Sequence, residues 1–512
     1  MIKSIIHKIL GKGPSRSRAK AAVSFGKRVE VPQSEHGIDP ALLDERATKV
    51  VQTLQDAGYE AYIVGGAVRD LILGMRPKDF DVATNATPEQ VKGLFRRAFI
   101  IGRRFRIVHV VYGRGREHEV IEVSTFRAYL DADAAEQVTG NEKSSRRELA
   151  DKTHVIDASG RVLRDNVWGP QDQDAARRDF TVNAMYYDPR SQIVVDYHGG
   201  IKDAKKRVMR MIGVPDLRYR EDPVRIIRVV RFAAKLDFEI EPKTRAPLRE
   251  LSALLADVPP SRLFDEMIKL LQTGHARASL AQLKKLGLER GLFPILDAVF
   301  DPARAAYPQR DQFIDLALAD TDRRVNEGKS VAPSFLLACL LWHDVLDQWK
   351  RNMDAGEGAF PALQQATDAV FDARVGDISG RGKLAADMRE IWTMQPRFER
   401  RTGNGPLSLV EQPRFRAGFD FLRLRGQVHE IDPHLAQWWE TFSLADPEDR
   451  RDLIEAARQE DSHKRHPRTQ QGDFGAAASA STTASAGPVA KKRRRRRKPV
   501  GAGAGVSAGG SD

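Results

Sequence analysis

The stretch that most constrains the fold is residues 61–84, AYIVGGAVRDLILGMRPKDFDVAT. Its pattern predicts an apolar strand, a turn at Gly65 and Gly66, a short amphipathic segment, and a second strand that carries Asp79 and Asp81. Side chains two residues apart on a strand point to the same side, so the two carboxylates are expected to converge. Because two such groups repel each other, a divalent cation between them is the usual remedy.

The double glycine before that strand predicts an anion site. Gly65 and Gly66 have no Cβ, so backbone amides there can approach a phosphate closely. Arg69 follows at a spacing that suits a clamp on the same anion. A D-x-D pair alone more often marks only an exposed acidic sheet edge. The glycine turn, the arginine and the two aspartates together therefore carry the prediction of a magnesium and nucleoside triphosphate site.

The motif RRDFTVNA, which begins at Arg177, supplies further candidates. Arg177 and Arg178 are adjacent, so one is expected to bind the triphosphate while the other pairs locally. Asp179 is a candidate third carboxylate of the metal site, with a helix N-cap as its simpler interpretation. Glu122, on a predicted strand at 119–127, is a rival for the third position.

The segment YREDPVRIIRVVRF predicts a helix that opens at Pro223 with Asp222 as its N-cap. Arginines then fall three apart and form a slanting basic stripe: Arg225, Arg228 and Arg231. The apolar residues between them are expected to pack inward: Ile226, Ile227, Val229, Val230 and Phe232. Asp222 and Arg225 offer an acceptor and a donor, which suit adenine and cytosine equally. The pair therefore does not choose between ATP and CTP.

The chain contains, in this order, the motifs GGAVRD, DFD, RRDFTVNA and EDPVRIIRVVRF. This ordered set resembles the class II nucleotidyltransferases, which comprise bacterial poly(A) polymerases and CCA-adding enzymes. The resemblance covers about residues 40–300. It implies an α+β fold, in which a DNA-polymerase-β-like head with a small mixed sheet and helices precedes an all-α neck, body and tail. It also implies that Asp79 and Asp81 hold two magnesium ions and that Asp179 is the third catalytic carboxylate. The implied nucleotide-binding residues are Gly65, Gly66, Arg69, Arg178, Asp222, Arg225, Arg228 and Arg231.

Within the family, IIGRRFRIVHV (100–110) and PPSRLFDEMIKLLQTG (259–274) are similar to the poly(A) polymerase branch. That branch implies template-independent transfer of AMP from ATP to the 3′ ends of mRNA, small RNAs and tRNA by a monomer that works with RNA-decay proteins. Mg²⁺ is the expected metal, with Mn²⁺ left open. A CCA-adding enzyme, which shares the head and the base-reading pair, is one alternative. A non-catalytic RNA-binding protein on the same fold is another.

The charge of the chain favours a polyanionic partner. The 512 residues carry a net charge of +13, and an RNA-binding role is predicted for the basic block Lys491, Lys492, Arg493, Arg494, Arg495, Arg496, Arg497 and Lys498. No apolar run is long enough for a membrane span. Cys339 is the single cysteine, which excludes a disulfide within the chain and points to the cytoplasm.

Composition and periodicity predict five segments. They are a flexible basic arm (1–38), the catalytic head (39–212), a helical neck (213–275), a helical body and tail (276–460) and a disordered basic tail (461–512). A mobile loop is expected at 128–153. His343-Asp344 spells the HD dipeptide of metal phosphohydrolases, but no further ligand set surrounds it, so we predict a role in helix packing.

Overall fold

The computed structural model describes residues 25–102, 106–113, 118–129, 136–137, 154–156, 162–165, 167–302, 308–376 and 382–465. The basic block at 491–498 and most of the predicted mobile loop at 128–153 lie outside these residues. None of the helices that the structure describes is long and apolar enough to cross a membrane.

A mixed sheet organises the head. The strands are β1 (Val29–Pro32), β2 (Ala61–Val64), β3 (Asp81–Thr84), β4 (Ala98–Ile101), β5 (Ile107–Tyr112), β6 (Glu119–Thr125), β7 (Glu136–Gln137), β8 (His154–Ile156), β9 (Val162–Asp165), β10 (Met185–Asp188), β11 (Ile193–Asp196), β12 (Val208–Met209) and β13 (Glu239–Ile240). Eight of them form one sheet in the order β1-β11-β10-β2-β3-β6-β5-β4. β3 and β6 run parallel, and the other neighbours in this sheet run antiparallel.

Helices surround this sheet and build the rest of the described chain. They are α1 (Gln33–His36), α2 (Glu45–Asp56), α3 (Gly66–Ile72), α4 (Pro88–Leu94), α5 (Gln171–Arg177), α6 (Gly200–Lys205), α7 (Pro215–Glu221), α8 (Arg225–Leu236), α9 (Pro242–Arg245), α10 (Leu248–Leu251), α11 (Pro260–Leu271), α12 (Ala276–Leu286), α13 (Pro294–Val299), α14 (Pro308–Asn326), α15 (Pro333–Asp354), α16 (Ala359–Arg374), α17 (Gly382–Phe398), α18 (Gly405–Val410), α19 (Phe415–Gln427), α20 (Pro433–Leu444) and α21 (Pro447–Arg465). Single-turn 3₁₀ elements occupy Pro40–Leu42 and Thr181–Asn183, and a longer one occupies Ser252–Asp257.

Capping side chains mark the start of some of these helical elements. Thr87 caps α4 and forms a capping box with Gln90. Asp39 accepts a hydrogen bond from Ala41 N at the turn opened by Pro40. The helical neck and body predicted from periodicity are confirmed in the described residues, and a proline at 247 lies between the short helices α9 and α10.

The prediction of a flexible arm up to residue 38 is wrong for its last part. Residues 29–32 form β1, which pairs antiparallel with β11 at the sheet edge. His36 is buried, its Nε2 lies 3.0 Å from Gln192 O, and Ile38 is part of the core. Composition marked this stretch as polar, but a partner strand from far along the chain supplies its backbone hydrogen bonds.

Separate apolar clusters show how the head and body are built. One face of the sheet packs against α2, α3 and α4, through residues such as Val50, Val68 and Val91. A smaller cluster on the other face includes Ala175 of α5. The cluster of the neck and body extends from Phe180 to Val428 and thus includes residues of the head. The predicted boundary at residue 212 therefore crosses a shared core, and the other boundaries stay predictions.

His343 of the HD dipeptide belongs to a buried network in the body. Its ring packs edge-on against Phe313, and its Nε2 lies 3.1 Å from a carboxylate oxygen of Glu430. Arg425 and Trp342 donate hydrogen bonds to the other oxygen of Glu430, at 2.7 and 2.9 Å. The network joins α15 to the end of α19, which is the packing role predicted for the dipeptide.

We expect Glu430→Gln to lower the free energy of unfolding by about 2–3 kcal/mol at pH 7. Burial alone would raise the pKa of Glu430, but the hydrogen bond from His343 and the charge of Arg425 outweigh it and lower the pKa to about 2. A depressed folded-state pKa contributes stability above the unfolded-state value of 4.5 that is lost as the pH falls towards 2. Denaturant unfolding of both proteins between pH 7 and pH 3 measures this. A difference that does not shrink with falling pH would contradict it.

Candidate active site

A pocket of about 430 Å³ lies between the head and α8. Its walls contain most of the residues that the motifs singled out: Gly65, Gly66, Arg69, Asp81, Arg178, Asp179, Asp222, Arg225 and Arg228. Asn183 and Phe232 complete the lining. Four motifs that are separated along the chain therefore meet at one cavity.

The double-glycine turn forms one wall of this pocket. Gly65 ends β2 with a φ of +74°, a conformation that L side chains rarely adopt. A Cβ at Gly65 would lie 3.4 Å from Arg178 Nη1, and one at Gly66 would lie 3.4 Å from Arg69 Nη2. The absence of side chains therefore leaves space for two guanidinium groups beside the backbone.

Asp79 and Asp81 are close neighbours, but only one of them is on a strand. β3 begins at Asp81, which lies opposite Val64, whereas Asp79 lies in the preceding bend. The predicted strand through both residues is thus wrong, because β2 turns at Gly65 and offers no partner beyond Val64. Their charges still interact, and that of Asp79 helps to raise the pKa of Asp81.

Glu122 is the acidic residue directly beside Asp81. The two are register partners on the parallel strands β3 and β6. Asp81 is exposed at the pocket mouth, but surrounding protein removes part of the water around its carboxylate. That burial, followed by the charge of Glu122, raises the pKa of Asp81 to about 6. Repulsion among these carboxylates is what a bound cation would relieve.

Asp179 accepts hydrogen bonds from other side chains of the pocket. Its carboxylate accepts hydrogen bonds from Arg228 Nη2 at 2.6 Å and Nε at 2.9 Å, and from Asn183 Nδ2 at 3.2 Å. Arg69 Nη1 in turn donates to Asn183 Oδ1 at 2.6 Å. Burial opposes ionisation of Asp179, but the charge of Arg228 outweighs it and lowers the pKa to about 2. This chain of contacts fixes two pocket arginines in position.

The predicted three-carboxylate cluster of Asp79, Asp81 and Asp179 is therefore not present in this arrangement. Among the described residues, no group of three His, Cys, Asp or Glu side chains is close enough to hold a metal ion. The donor set still fits magnesium, which is usually bound by one or two carboxylates together with substrate phosphates. Asp79 and Asp81 would supply such a pair, with Asp81 in the pocket lining and Asp79 just outside it.

Asp222 and Arg225 line the pocket, but Asp222 is not the N-cap of the helix that carries Arg225, as had been predicted. α8 begins at Arg225 after a turn, and Asp222 ends α7 without capping α8. Asp222 Oδ2 accepts a hydrogen bond from Arg262 at 2.8 Å, while its buried Oδ1 has no hydrogen-bond partner among the described residues. Arg225 donates to Glu221 at 3.1 Å. An orphaned buried acceptor at a pocket wall is suited to a ligand N–H.

Arg231 lies outside the pocket lining that it was predicted to join, whereas Phe232 belongs to that lining. Successive helical residues are about 100° apart, so Arg231 lies about 120° around α8 from Arg225. It is buried outside the pocket lining, 3.5 Å from Glu266, and its guanidinium carbon lies 4.3 Å from the centre of the Phe232 ring. Phe232 packs against the core as predicted, and it also lines the pocket, where its ring lies under Arg69 and Arg228 at 5.7 and 5.3 Å. Its i, i+4 spacing from Arg228 is the signal that would have placed it there.

Arg177 and Arg178 diverge, as adjacent residues are expected to. Arg178 lines the pocket, donates to Asp174 at 3.2 Å and packs on Tyr186. Arg177 is not in the pocket wall. Burial, followed by the charges of Arg127 and other arginines, lowers its pKa to about 9. The clustered cations give this side of the site a positive field that favours a polyanion.

We expect Gly65→Ala to raise the KM for the nucleotide at least about tenfold and to destabilise the fold by about 1–2 kcal/mol. The added methyl group is strained at positive φ and would contact Arg178. Gly74→Ala is the matched control, since Gly74 has a φ of +71° with nothing within 4 Å of its Cβ. Equal KM values for the two variants would contradict the assigned role of the turn.

A mixed-sheet head with paired carboxylates and an arginine-lined pocket, followed by a helical body, defines a nucleotidyltransferase. Family models match the chain as "Poly A polymerase head domain" over 61–210, "Probable RNA and SrmB- binding site of polymerase A" over 237–300 and "Polymerase A arginine-rich C-terminus" over 355–499. The poly(A) polymerase I of Salmonella typhimurium is 39% identical over 456 residues, which cover 88% of this chain and 93% of that protein. The chain belongs to the poly(A) polymerase I family.

The second branch of the class is more distant. A CCA-adding enzyme of Lactobacillus helveticus is 36% identical over 232 residues, which cover 45% of this chain and 51% of that protein. A solved structure of a tRNA-processing enzyme (apo form I) is 20% identical, covers 85% of this chain and 99% of that one, and has a TM-score of 0.47.

Proposed function

We propose that this protein is a polynucleotide adenylyltransferase that adds AMP from ATP to RNA 3′ ends without a template and releases pyrophosphate. The observation that carries the proposal is the pocket in which the glycine turn, Asp81 and the arginines of separate motifs converge. Membership of the poly(A) polymerase I family over most of the chain supports the choice of AMP and RNA.

Asp79 and Asp81 are the proposed ligands of two Mg²⁺ ions, and Glu122 is the acidic register partner of Asp81 on the neighbouring strand. When bound, the ions lower the pKa of the RNA 3′-hydroxyl and offset the charge on the departing pyrophosphate. The raised pKa of Asp81 is consistent with this assignment: burial contributes most to it, and the charges of Glu122 and Asp79 add a repulsion that a cation would relieve. Whether Mn²⁺ substitutes is tested by titrating each metal separately.

The arginines of the pocket are the proposed triphosphate ligands. Arg69, Arg178 and Arg228 are oriented in advance by Asp70, Asp174 and Asp179 respectively. Cations fixed before the substrate binds need little reorganisation as charge spreads over the phosphates in the transition state. Asp179 is thus proposed to act as a positioning residue for Arg228 and, through Asn183, for Arg69.

Asp222 and Arg225 are the proposed readers of the base. The buried Oδ1 of Asp222 is an acceptor for the exocyclic amine of adenine, and Arg225 is a donor for a ring nitrogen. Phe232 presents a ring at the same cavity, where it can pack against the nucleotide.

A tailing assay tests this function. Each of the four nucleoside triphosphates is supplied alone with Mg²⁺ to a mixture of an unstructured RNA and a tRNA that lacks its terminal CCA. Long tails with ATP only are expected. CMP addition to the trimmed tRNA would instead identify the CCA-adding branch. No addition to either RNA would leave a non-catalytic RNA-binding protein.

The proposal also covers the oligomeric state, the location, the RNA substrates and the protein partners of the enzyme. We propose that the enzyme acts as a monomer in the cytoplasm, on mRNA, small RNAs and tRNA, with RNA-decay proteins as partners. The match to an arginine-rich C-terminal model supports a role for the block at 491–498 in salt-sensitive binding to the RNA backbone. Truncation before residue 491 should weaken RNA binding and flatten its dependence on salt, while the KM for ATP stays unchanged.

A further inference from the structure

One row of side chains crosses the head sheet from the catalytic carboxylates to an exposed aromatic ring. Asp81 lies opposite Glu122, Glu122 lies opposite His109, and His109 lies opposite Phe99. Register partners on neighbouring strands point to the same side of a sheet. The row therefore runs across β3, β6, β5 and β4 and ends at the sheet edge.

The side of the sheet that carries this row is open at the β4 edge. The residues that alternate with the row, such as Val123, Val108 and Ala98, belong to the core on the opposite side. Phe99 is 55% exposed, and Ile101, two residues further along β4, is 43% exposed. In the part of the chain that the structure describes, Phe99 makes no ring contact. We call this surface, formed by the row and Ile101, the open face.

We propose that the open face holds the last nucleotides of the RNA substrate, with the ring of Phe99 stacked on a base upstream of the reacting 3′ end. This inference rests on the proposed function, because that function requires the 3′-hydroxyl to lie beside Asp81. Phe99 is three strands away, and strand spacing makes this distance about 14 Å. An RNA end that reaches Asp81 along the row therefore passes over Phe99 within its last few nucleotides.

The chemistry of the open face matches single-stranded RNA. Proteins that bind single strands combine cations along the backbone with aromatic rings on which bases stack, and the stacking tolerates any sequence. Arg96 and Arg97 are exposed immediately before β4, where they can meet phosphates. The Phe99 side chain has no hydrogen-bonding group, so it can stack on any of the four bases without discriminating between them. This suits an enzyme that extends RNA 3′ ends of varied sequence.

Phe99→Ala is expected to raise the KM for a short oligoadenylate, and its Kd measured by fluorescence anisotropy without ATP, by about tenfold. Stacking on one base is worth about 1–3 kcal/mol, which corresponds to about 5- to 150-fold in affinity. The KM for ATP is expected to stay unchanged, as is kcat at saturating RNA. Phe99→Trp should restore RNA affinity, because indole also stacks.

Phe360→Ala is the matched control, since Phe360 in α16 is also 55% exposed but lies in the body. It should leave RNA affinity unchanged. Unchanged RNA affinity in Phe99→Ala would overturn the inference, and so would a loss that Phe99→Trp fails to restore. The inference would also be overturned if the β4 edge bound a protein strand and that binding left RNA affinity unchanged. The anisotropy measurement separates this failure from that of the proposed function, which would show as an unmodified protein that binds RNA but adds no AMP.

Discussion

Asp81→Asn and Asp79→Asn are each expected to reduce AMP transfer by at least about a thousandfold. Each removes one of the paired carboxylates that would hold Mg²⁺ at the reacting atoms, and metal stabilisation of transferring charge is worth several kcal/mol. RNA affinity should be retained, because the arginines and the ring of Phe99 are untouched. Tailing assays at saturating ATP, with anisotropy measurements of RNA binding, check both parts.

Stability measurements separate this loss from misfolding. The pKa of Asp81 is raised to about 6 in the folded protein, above the unfolded-state value of 3.8. A carboxyl group with a raised folded-state pKa disfavours the folded state at neutral pH, so Asp81→Asn should not lower the melting temperature without metal. Asp56→Asn, which breaks an exposed ion pair with Arg190, is the control with unchanged activity. Activity within tenfold of the unmodified protein in either site variant would reject the metal assignment.

Asp179→Asn is expected to lower the free energy of unfolding by about 3 kcal/mol and to reduce kcat/KM for ATP about a hundredfold. Loss of one partner of a partly buried ion pair is costly, since the other charge is left unpaired. Here the partner is Arg228, which would also lose its orientation towards the phosphates. Chemical denaturation and steady-state kinetics measure the two effects.

A double-mutant cycle distinguishes a positioning role from metal binding. If Asp179 acts through Arg228, the losses in Asp179→Asn and Arg228→Ala should be far from additive in the double variant. The Mg²⁺ concentration at half-maximal activity should stay within about twofold of the unmodified protein. Additive losses, or a large rise in the Mg²⁺ requirement, would instead make Asp179 a metal ligand.

The residues of the site were more predictable than their contacts. The glycine turn, Asp81, Arg178 and Arg228 line one pocket, and the motifs had singled out each of them. Asn183 was not among the predicted site residues, yet it links Asp179 to Arg69. A hydrogen bond between residues 114 apart has no local signal in a sequence.

Local rules failed where a distant element competed for a residue. Asp222 has the sequence of a helix N-cap, but Arg262 of α11 binds its carboxylate and α8 starts three residues later. The residues of β1 have the composition of a flexible arm, but β11 supplies their hydrogen bonds. In both cases the partner lies far along the chain, and long-range pairing overrides propensity.

The sequence by itself determined the chemistry of this protein: paired aspartates, a turn that tolerates no side chain, and arginines at helical spacing. These depend on residue type and short spacing, which backbone geometry converts directly into local structure. Only the tertiary structure decided which carboxylate lies beside Asp81 and which arginine binds Asp179. It also decided that Phe99 lies at the end of a row of side chains that begins at the reaction site. Strand order and register are set by packing over the whole sheet, so no short stretch of the chain encodes them.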